Sequence, residues 1–207
     1  MSGHGYIAVE GPIGVGKTTL AKRLAREFDA HLLLERPQDN PFLEAFYKDP
    51  VGKAFQAQLS FLLQRAEQVD TLRQTDLFRR RTVADFFFDK DPLFAELTLS
   101  GAEFALYRQL FTRLSWEAPR PDKVIFLHAP VDVLVSRVNK RGRDAEDPMT
   151  ADYLEQVASA YLRFFADYSA TDLVVVDAAT LDLVNEPADY RRVLEALGTP
   201  KARIQIA

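Results

Sequence analysis

The segment Gly11-Pro12-Ile13-Gly14-Val15-Gly16-Lys17-Thr18 has the spacing G-x-x-x-x-G-K-[ST]. Glycines so placed let backbone N–H groups curl around phosphate oxygens, which makes Gly11, Gly14, Val15, Gly16 and Thr19 candidate nucleotide-binding positions. In that geometry Lys17 reaches the β- and γ-phosphates and the Thr18 hydroxyl meets Mg²⁺. A glycine-rich turn with an unrelated lysine has the same letters. Here, however, an apolar run (Tyr6 to Val9) precedes the motif and a helical pattern (Thr18 to Phe28) follows it.

Two acids stand at the ends of apolar runs. Glu35 follows Leu32-Leu33-Leu34. Facing the phosphate loop it could take a proton from an attacking hydroxyl, and at the surface it would only cap a strand. Asp85 follows Thr82-Val83-Ala84, where a carboxylate can hold Mg²⁺ directly or through water, so Thr18 and Asp85 are the candidate metal residues. Arg137, Arg141 and Arg143 lie along Ser-Arg-Val-Asn-Lys-Arg-Gly-Arg. Arg137 and Arg141 share a helix face, and Gly142 marks the change to loop. Such a cluster is either a solvated basic face or a lid that neutralises charge spreading onto a phosphoryl group, and beside a phosphate loop the lid is favoured. Phe86-Phe87-Phe88 reads as sheet core. His4, His31 and His128 lack metal-ligand spacing, and Trp116 reads as a packing residue at a helix end.

The elements that must position these groups follow from periodicity. Short apolar runs at Tyr6–Val9, His31–Leu34, Thr82–Phe88, Lys123–His128 and Leu173–Asp177 read as strands. Helical patterns lie between them, over Thr18–Phe28, Lys53–Leu72, Pro92 to about Trp116, Val131–Asn139, Ala151–Tyr168 and Ala188–Leu197. The alternation predicts an α/β fold: a five-stranded parallel sheet with helices on both faces and a lid at about residues 140–149. Ligands of such sheets bind beyond the carboxyl ends of the strands, so the loop after Val9, Glu35 and Asp85 should converge.

With 207 residues, 47% of them apolar, the chain suits one domain with a sizeable core. The net charge of −4 argues against a nucleic-acid binder, the absence of cysteine excludes disulfides and thiolate metal sites, and no apolar run suggests a membrane span or a leader. A cytoplasmic protein is expected.

Several spaced segments, taken in order, resemble the deoxynucleoside kinase family. They are Glu10 to Thr19; Asp39-Asn40-Pro41-Phe42-Leu43 with Phe46-Tyr47; Phe55-Gln56-Ala57-Gln58-Leu59; Arg141-Gly142-Arg143-Asp144-Ala145-Glu146; and Tyr153-Leu154-Glu155. The resemblance spans almost the whole chain. It implies a P-loop kinase fold and ATP-dependent transfer of the γ-phosphoryl group to the 5′-hydroxyl of a deoxynucleoside. Glu35 then matches the acid that takes the hydroxyl proton, assisted by Lys17, Arg137 and Arg141, with Arg143 also on the ATP phosphates. Gln56 matches the amide that pairs with the base, Phe94 the aromatic stacked on it, and Asp91 a carboxylate facing it, directly or through Arg65. Tyr47 and Glu146 match the pair that holds the 3′-hydroxyl, and Asp85 the acid at the magnesium site. A homodimer through the two longest helical patterns is implied as well.

Many members of the family place an arginine directly after the Asp85-equivalent acid. Here Phe86 stands there, and Asp85-Phe86-Phe87-Phe88-Asp89-Lys90-Asp91 resembles the bacterial deoxyguanosine kinase subgroup instead. Lys90, Arg65 or a lid arginine would then supply the missing charge. Deoxyguanosine is the expected substrate, with deoxyadenosine or deoxycytidine as the alternative. A nucleotide-binding switch or regulatory ATPase is the reading from another class. It would call for an N-K-x-D motif, and Asn139-Lys140-Arg141-Gly142 lacks the aspartate.

Overall fold

The computed structural model describes residues 5–76, 81–115, 118–143, 148–200 and 202–207. The elements are β1 (Tyr6–Glu10), α1 (Lys17–Glu27), β2 (His31–Leu33), α2 (Leu43–Lys48), α3 (Pro50–Asp76), β3 (Thr82–Ala84), α4 (Asp91–Thr98), α5 (Gly101–Leu114), β4 (Lys123–His128), α6 (Val131–Arg141), α7 (Ala151–Ala166), β5 (Asp172–Asp177), α8 (Pro187–Gly198) and β6 (Arg203–Ile206). One-turn 3-10 helices add Pro37–Asp39 and Phe88–Lys90.

The strands form one sheet in the order β2-β3-β1-β4-β5-β6, with every pairing parallel. A parallel sheet covered on both faces reads as apolar runs without polar alternation, and β1, β4 and β5 do. Successive side chains then serve opposite layers. Ile7, Val9, Ile125, Leu127, Val174 and Val176 pack with Leu20 and Leu24 of α1 and Val193 and Leu197 of α8. Tyr6, Ala8, Val124, Phe126, Leu173 and Val175 pack with Leu93 of α4 and Val157, Tyr161 and Phe165 of α7. A third cluster joins Phe46, Ala54, Leu62, Val69, Ala95 and Tyr107 among α2 to α5, outside the sheet.

Three expectations need correction. Among the described residues the sheet has six strands rather than five, because Ile204 and Ile206 alternate with polar residues and pair along the open edge of β5. The strand at Thr82 stops at Ala84. Asp85 turns the chain, and Phe86, Phe87 and Phe88 are buried beyond the strand, the first two in the sheet core and Phe88 in the third cluster. The long helix expected from Pro92 is two helices. Leu99 and Ser100 are extended between α4 and α5, which drives Leu99 into the core. Trp116 and His4 lie outside the described residues.

Candidate active site

The three strand-end segments converge as expected. Gly11 has φ +148°, and a Cβ there would stand 2.2 Å from the Leu127 carbonyl oxygen. Gly14 has φ +86°, and its Cβ would stand 2.9 Å from the Leu134 carbonyl oxygen. The loop can therefore lie against β4 and α6 only with glycine at both places. Lys17, at the start of α1, folds back over the loop and donates to the carbonyls of Gly11 (2.7 Å) and Pro12 (3.2 Å). Burial lowers its pKa, and the neighbouring Lys90 charge adds to that. The Thr18 hydroxyl donates to Asp85 Oδ2 at 2.5 Å, and the Glu35 backbone N–H donates to Asp85 Oδ1 at 2.7 Å. Asp85 thus ties together the ends of β2 and β3 and the phosphate loop.

Two cavities meet at this loop. One of about 790 Å³ is lined by residues 14–20, Arg137, Lys140, Arg141, Arg143 and residues 178–185. Arg137 donates to the carbonyls of Val15 (3.2 Å) and Ala178 (2.8 Å), so it braces the loop from α6. The other cavity, about 290 Å³, is lined by Glu35, Tyr47, Gln58, Phe61, Arg65, Asp85, Phe94 and Tyr153. Gly14, Lys17, Thr18, Arg141 and Arg143 border both.

Beneath the smaller cavity lies a buried charge network. Arg65 donates to Glu35 Oε1 and Asp91 Oδ1 at once, and Tyr107 donates to Asp91 Oδ2 at 2.8 Å. Lys90, 1% exposed, has its Nζ 3.3 Å from Glu10 Oε1 and 3.7 Å from Glu35 Oε1. Glu10 accepts further hydrogen bonds from the N–H groups of Phe87 and Gly11 and from the Tyr161 hydroxyl. Burial alone would raise the pKa of Glu35, but Lys90, Arg65 and Lys17 outweigh it and hold the group at about 2. Glu10 is raised by its burial, against the pull of Lys90 and Lys17. Burial also works against the Arg65 charge, yet Asp91 and then Glu35 keep it firmly protonated.

A family model described as "Deoxynucleoside kinase" matches residues 7–199. The chain belongs to that family. It is 33% identical over 195 residues to a deoxyguanosine kinase of Bacillus subtilis, covering 91% of this chain and 93% of the relative. A deoxyadenosine kinase of Lactobacillus acidophilus is 27% identical over 205 residues, covering 92% and 94%. Among solved structures, a deoxyadenosine kinase from M. mycoides with bound dATP superposes with a TM-score of 0.80 at 25% identity, covering 94% and 100%. The chain is accordingly an α/β kinase that phosphorylates deoxynucleosides, and the family uses ATP as phosphate donor.

The residues expected at the kinase's site divide into two groups. Lys17, Thr18, Glu35, Tyr47, Arg65, Asp85, Phe94, Arg141 and Arg143 all border the two cavities. Gln56 does not. It lines a separate cleft on the outer side of α3 with Phe42, Phe55 and Leu63, and Gln58 faces the smaller cavity in its place. Two residues along a helix amount to about 200° of rotation, so only one of the two amides can face inward. Asp91 is fully buried and reaches the cavity only through Arg65. Glu146, with residues 144–147 of the expected lid, lies outside the described residues. Sequence reasoning gave no role to Glu10, Tyr107 or Tyr161, and it named Lys90 only as one of several substitutes for the absent arginine. A signal for Gln58 was present: Gln58, Phe61, Arg65 and Gln68 fall at i, i+3, i+7 and i+10, on one helix face.

Proposed function

We propose that this kinase takes deoxyguanosine as its preferred acceptor, with the nucleoside in the 290 Å³ cavity and ATP in the 790 Å³ cavity. The carrying observation is that both cavities open onto Lys17 and Thr18 while Glu35 lines only the smaller. The 5′-hydroxyl oxygen attacks the γ-phosphorus, the bond to the β–γ bridging oxygen breaks, ADP leaves, and the hydroxyl proton passes to the Glu35 carboxylate. Lys17, Arg141 and Arg143 meet the charge that spreads over the phosphoryl oxygens, and Arg137 holds the loop against α6. Tyr47 faces the sugar and, with Glu146, is assigned the 3′-hydroxyl.

Thr18 Oγ1 and Asp85 Oδ2, 2.5 Å apart beside the loop, are hard oxygen donors suited to Mg²⁺. Mg²⁺ is usually held by one or two carboxylates and the substrate phosphates, so two protein groups suffice, and the ion would neutralise phosphate charge there.

The base reading rests on Gln58 and Arg65. Gln58 Nε2 donates to Thr98 Oγ1 at 3.3 Å, which leaves its carbonyl oxygen and second N–H for a base edge. Arg65 also lines this cavity, and a guanidinium there suits a purine acceptor such as O6 or N7 of guanine. The likeness to the Bacillus subtilis deoxyguanosine kinase supports the same base. With ATP in excess, kcat/KM for the common deoxynucleosides should be highest for deoxyguanosine and lowest for thymidine. A lead of about tenfold for deoxyadenosine or deoxycytidine would overturn the base assignment. The reading includes a cytoplasmic homodimer joined through the outer faces of α3 and α5, where Leu63 and Leu106 are exposed. Light scattering of the purified protein tests that pairing.

A further inference from the structure

Lysine is almost never fully buried unless it is paired, because its charge loses hydration that only close anions can replace. Lys90 is 1% exposed and stands between two carboxylates, at 3.3 Å from Glu10 and 3.7 Å from Glu35. Its Nζ also lies 5.4 Å from the ring centroid of Phe94, which lines the nucleoside cavity. Glu10 ends β1 and accepts from the N–H of Gly11, the first residue of the phosphate loop. Lys90 therefore connects the base of the phosphate loop to the acid of the acceptor cavity through a single ammonium group.

The oxygen that it meets matters. Among the described residues, two of the three cations that act on Glu35 contact it directly, and both address the same atom, Oε1: Arg65 by hydrogen bond and Lys90 by ion pairing. A carboxylate held through one oxygen has its rotation about the terminal bond fixed. Its second oxygen, Oε2, is then the one presented for a proton. Arg65 alone would leave this orientation dependent on a side chain that is also drawn to Asp91. Lys90 is in turn anchored by Glu10, itself held by Phe87, Gly11 and Tyr161.

We propose that Lys90, clamped by Glu10, is a positioning residue that fixes Glu35 relative to the phosphate loop, so that Oε2 receives the proton of the acceptor hydroxyl. This rests on the assignment of Glu35 as proton acceptor, and Lys90, which lines neither cavity, acts through that group. A misplacement of about 1 Å in such a group can cost about 10²-fold in rate.

A double-mutant cycle with Glu35→Gln tests it. Lys90→Met keeps an unbranched side chain one atom shorter and removes the charge. Because it leaves Glu10 buried without its cation, the paired change Lys90→Met/Glu10→Gln serves as the second variant and removes both charges. In the wild-type background either variant should lower kcat by about tenfold or more, with KM for the nucleoside changed by less than about threefold. In the Glu35→Gln background the same changes should cost less than about threefold in kcat, since there is no longer a proton acceptor to orient. Equal kcat losses in both backgrounds, or a loss confined to KM, would overturn the positioning role of Lys90 while Glu35 keeps its own. An unimpaired Glu35→Gln enzyme would remove the proton-acceptor assignment first and this inference with it.

Discussion

Exchanging the two amides of α3 one at a time separates a base-reading residue from a bystander. Gln58 is 3% exposed and lines the nucleoside cavity, whereas Gln56 lines the outer cleft. Gln58→Ala removes an acceptor and a donor from the base edge. Each lost hydrogen bond is worth about 1 kcal/mol net, and a base group left unpaired in a closed cavity adds about 1–2 kcal/mol. The sum, about 3–4 kcal/mol, predicts a fall in kcat/KM for deoxyguanosine of about 160- to 900-fold. Thr98 is not orphaned by the change, because its hydroxyl also donates to the Phe94 carbonyl at 2.7 Å. Gln56→Ala should alter kcat/KM by less than about threefold, as expected for a side chain away from the chemistry. Both variants need steady-state kinetics with saturating ATP, and a thermal midpoint to show that each is folded. If Gln56→Ala proved the more damaging at equal thermal midpoint, the cavity assignment and the face of α3 on which it depends would both be wrong.

Lys17→Ala should abolish turnover while the circular dichroism spectrum and melting midpoint stay close to wild type, because its contacts are with loop carbonyls rather than the core. Near-normal turnover in a folded variant would refute its role on the phosphates. A 2′,3′-dideoxynucleoside should be a poor substrate, and Tyr47→Phe should narrow the gap in kcat/KM, because a site built to bond a hydroxyl rejects the analogue that lacks it. Equal kcat/KM for the deoxy and dideoxy compounds in the wild type would count against this. Against the effect of burial, Lys90, Arg65 and Lys17 hold Glu35 at about 2, so its carboxylate stays ionised far below neutrality. The kcat/KM profile should then show no acidic limb from Glu35 above about pH 5. A limb near pH 6 that vanished in Glu35→Gln would contradict the ion pairing.

What was legible in the sequence was what local rules impose. The phosphate loop carries its own glycine requirements, and Glu35 and Asp85 were found because strand ends of a parallel sheet face the ligand. The face of α3 was not legible, because that helix is buried on more than one side: Ala54, Ala57, Leu62 and Val69 enter a core cluster while Gln58, Arg65 and Gln68 are buried as well. With no single apolar stripe, periodicity could not say which of two nearby amides turns inward. The break between α4 and α5 did leave a trace, since Ser100 and Glu103 have the spacing of a helix start, although the Ser100 side chain makes no capping bond. β6 was missed because Arg203–Ile206 is only four residues long and its two isoleucines gain meaning only beside β5. Lys90 was legible as a charge but not as a buried one, since its burial depends on the turn after β3 that no strand pattern announces.

The electrostatics of the acid suggest how the kinase divides its work. A carboxylate held well below its usual range has little thermodynamic pull on an alcohol proton, so Glu35 is poorly suited to deprotonating the hydroxyl before attack. It does not need to, because phosphoryl transfer passes through a loose transition state in which the bond to the leaving oxygen is largely broken before the new one forms. The hydroxyl becomes acidic only as that new bond develops. A carboxylate that is ionised and already oriented can accept the proton at that point, and the useful property is fixed geometry more than basicity. Two of the cations that depress Glu35, Lys90 and Arg65, are the ones that orient it. The depressed pKa and the positioning by Arg65 and Lys90 are therefore two consequences of one arrangement, and a change that relieved the first would forfeit the second.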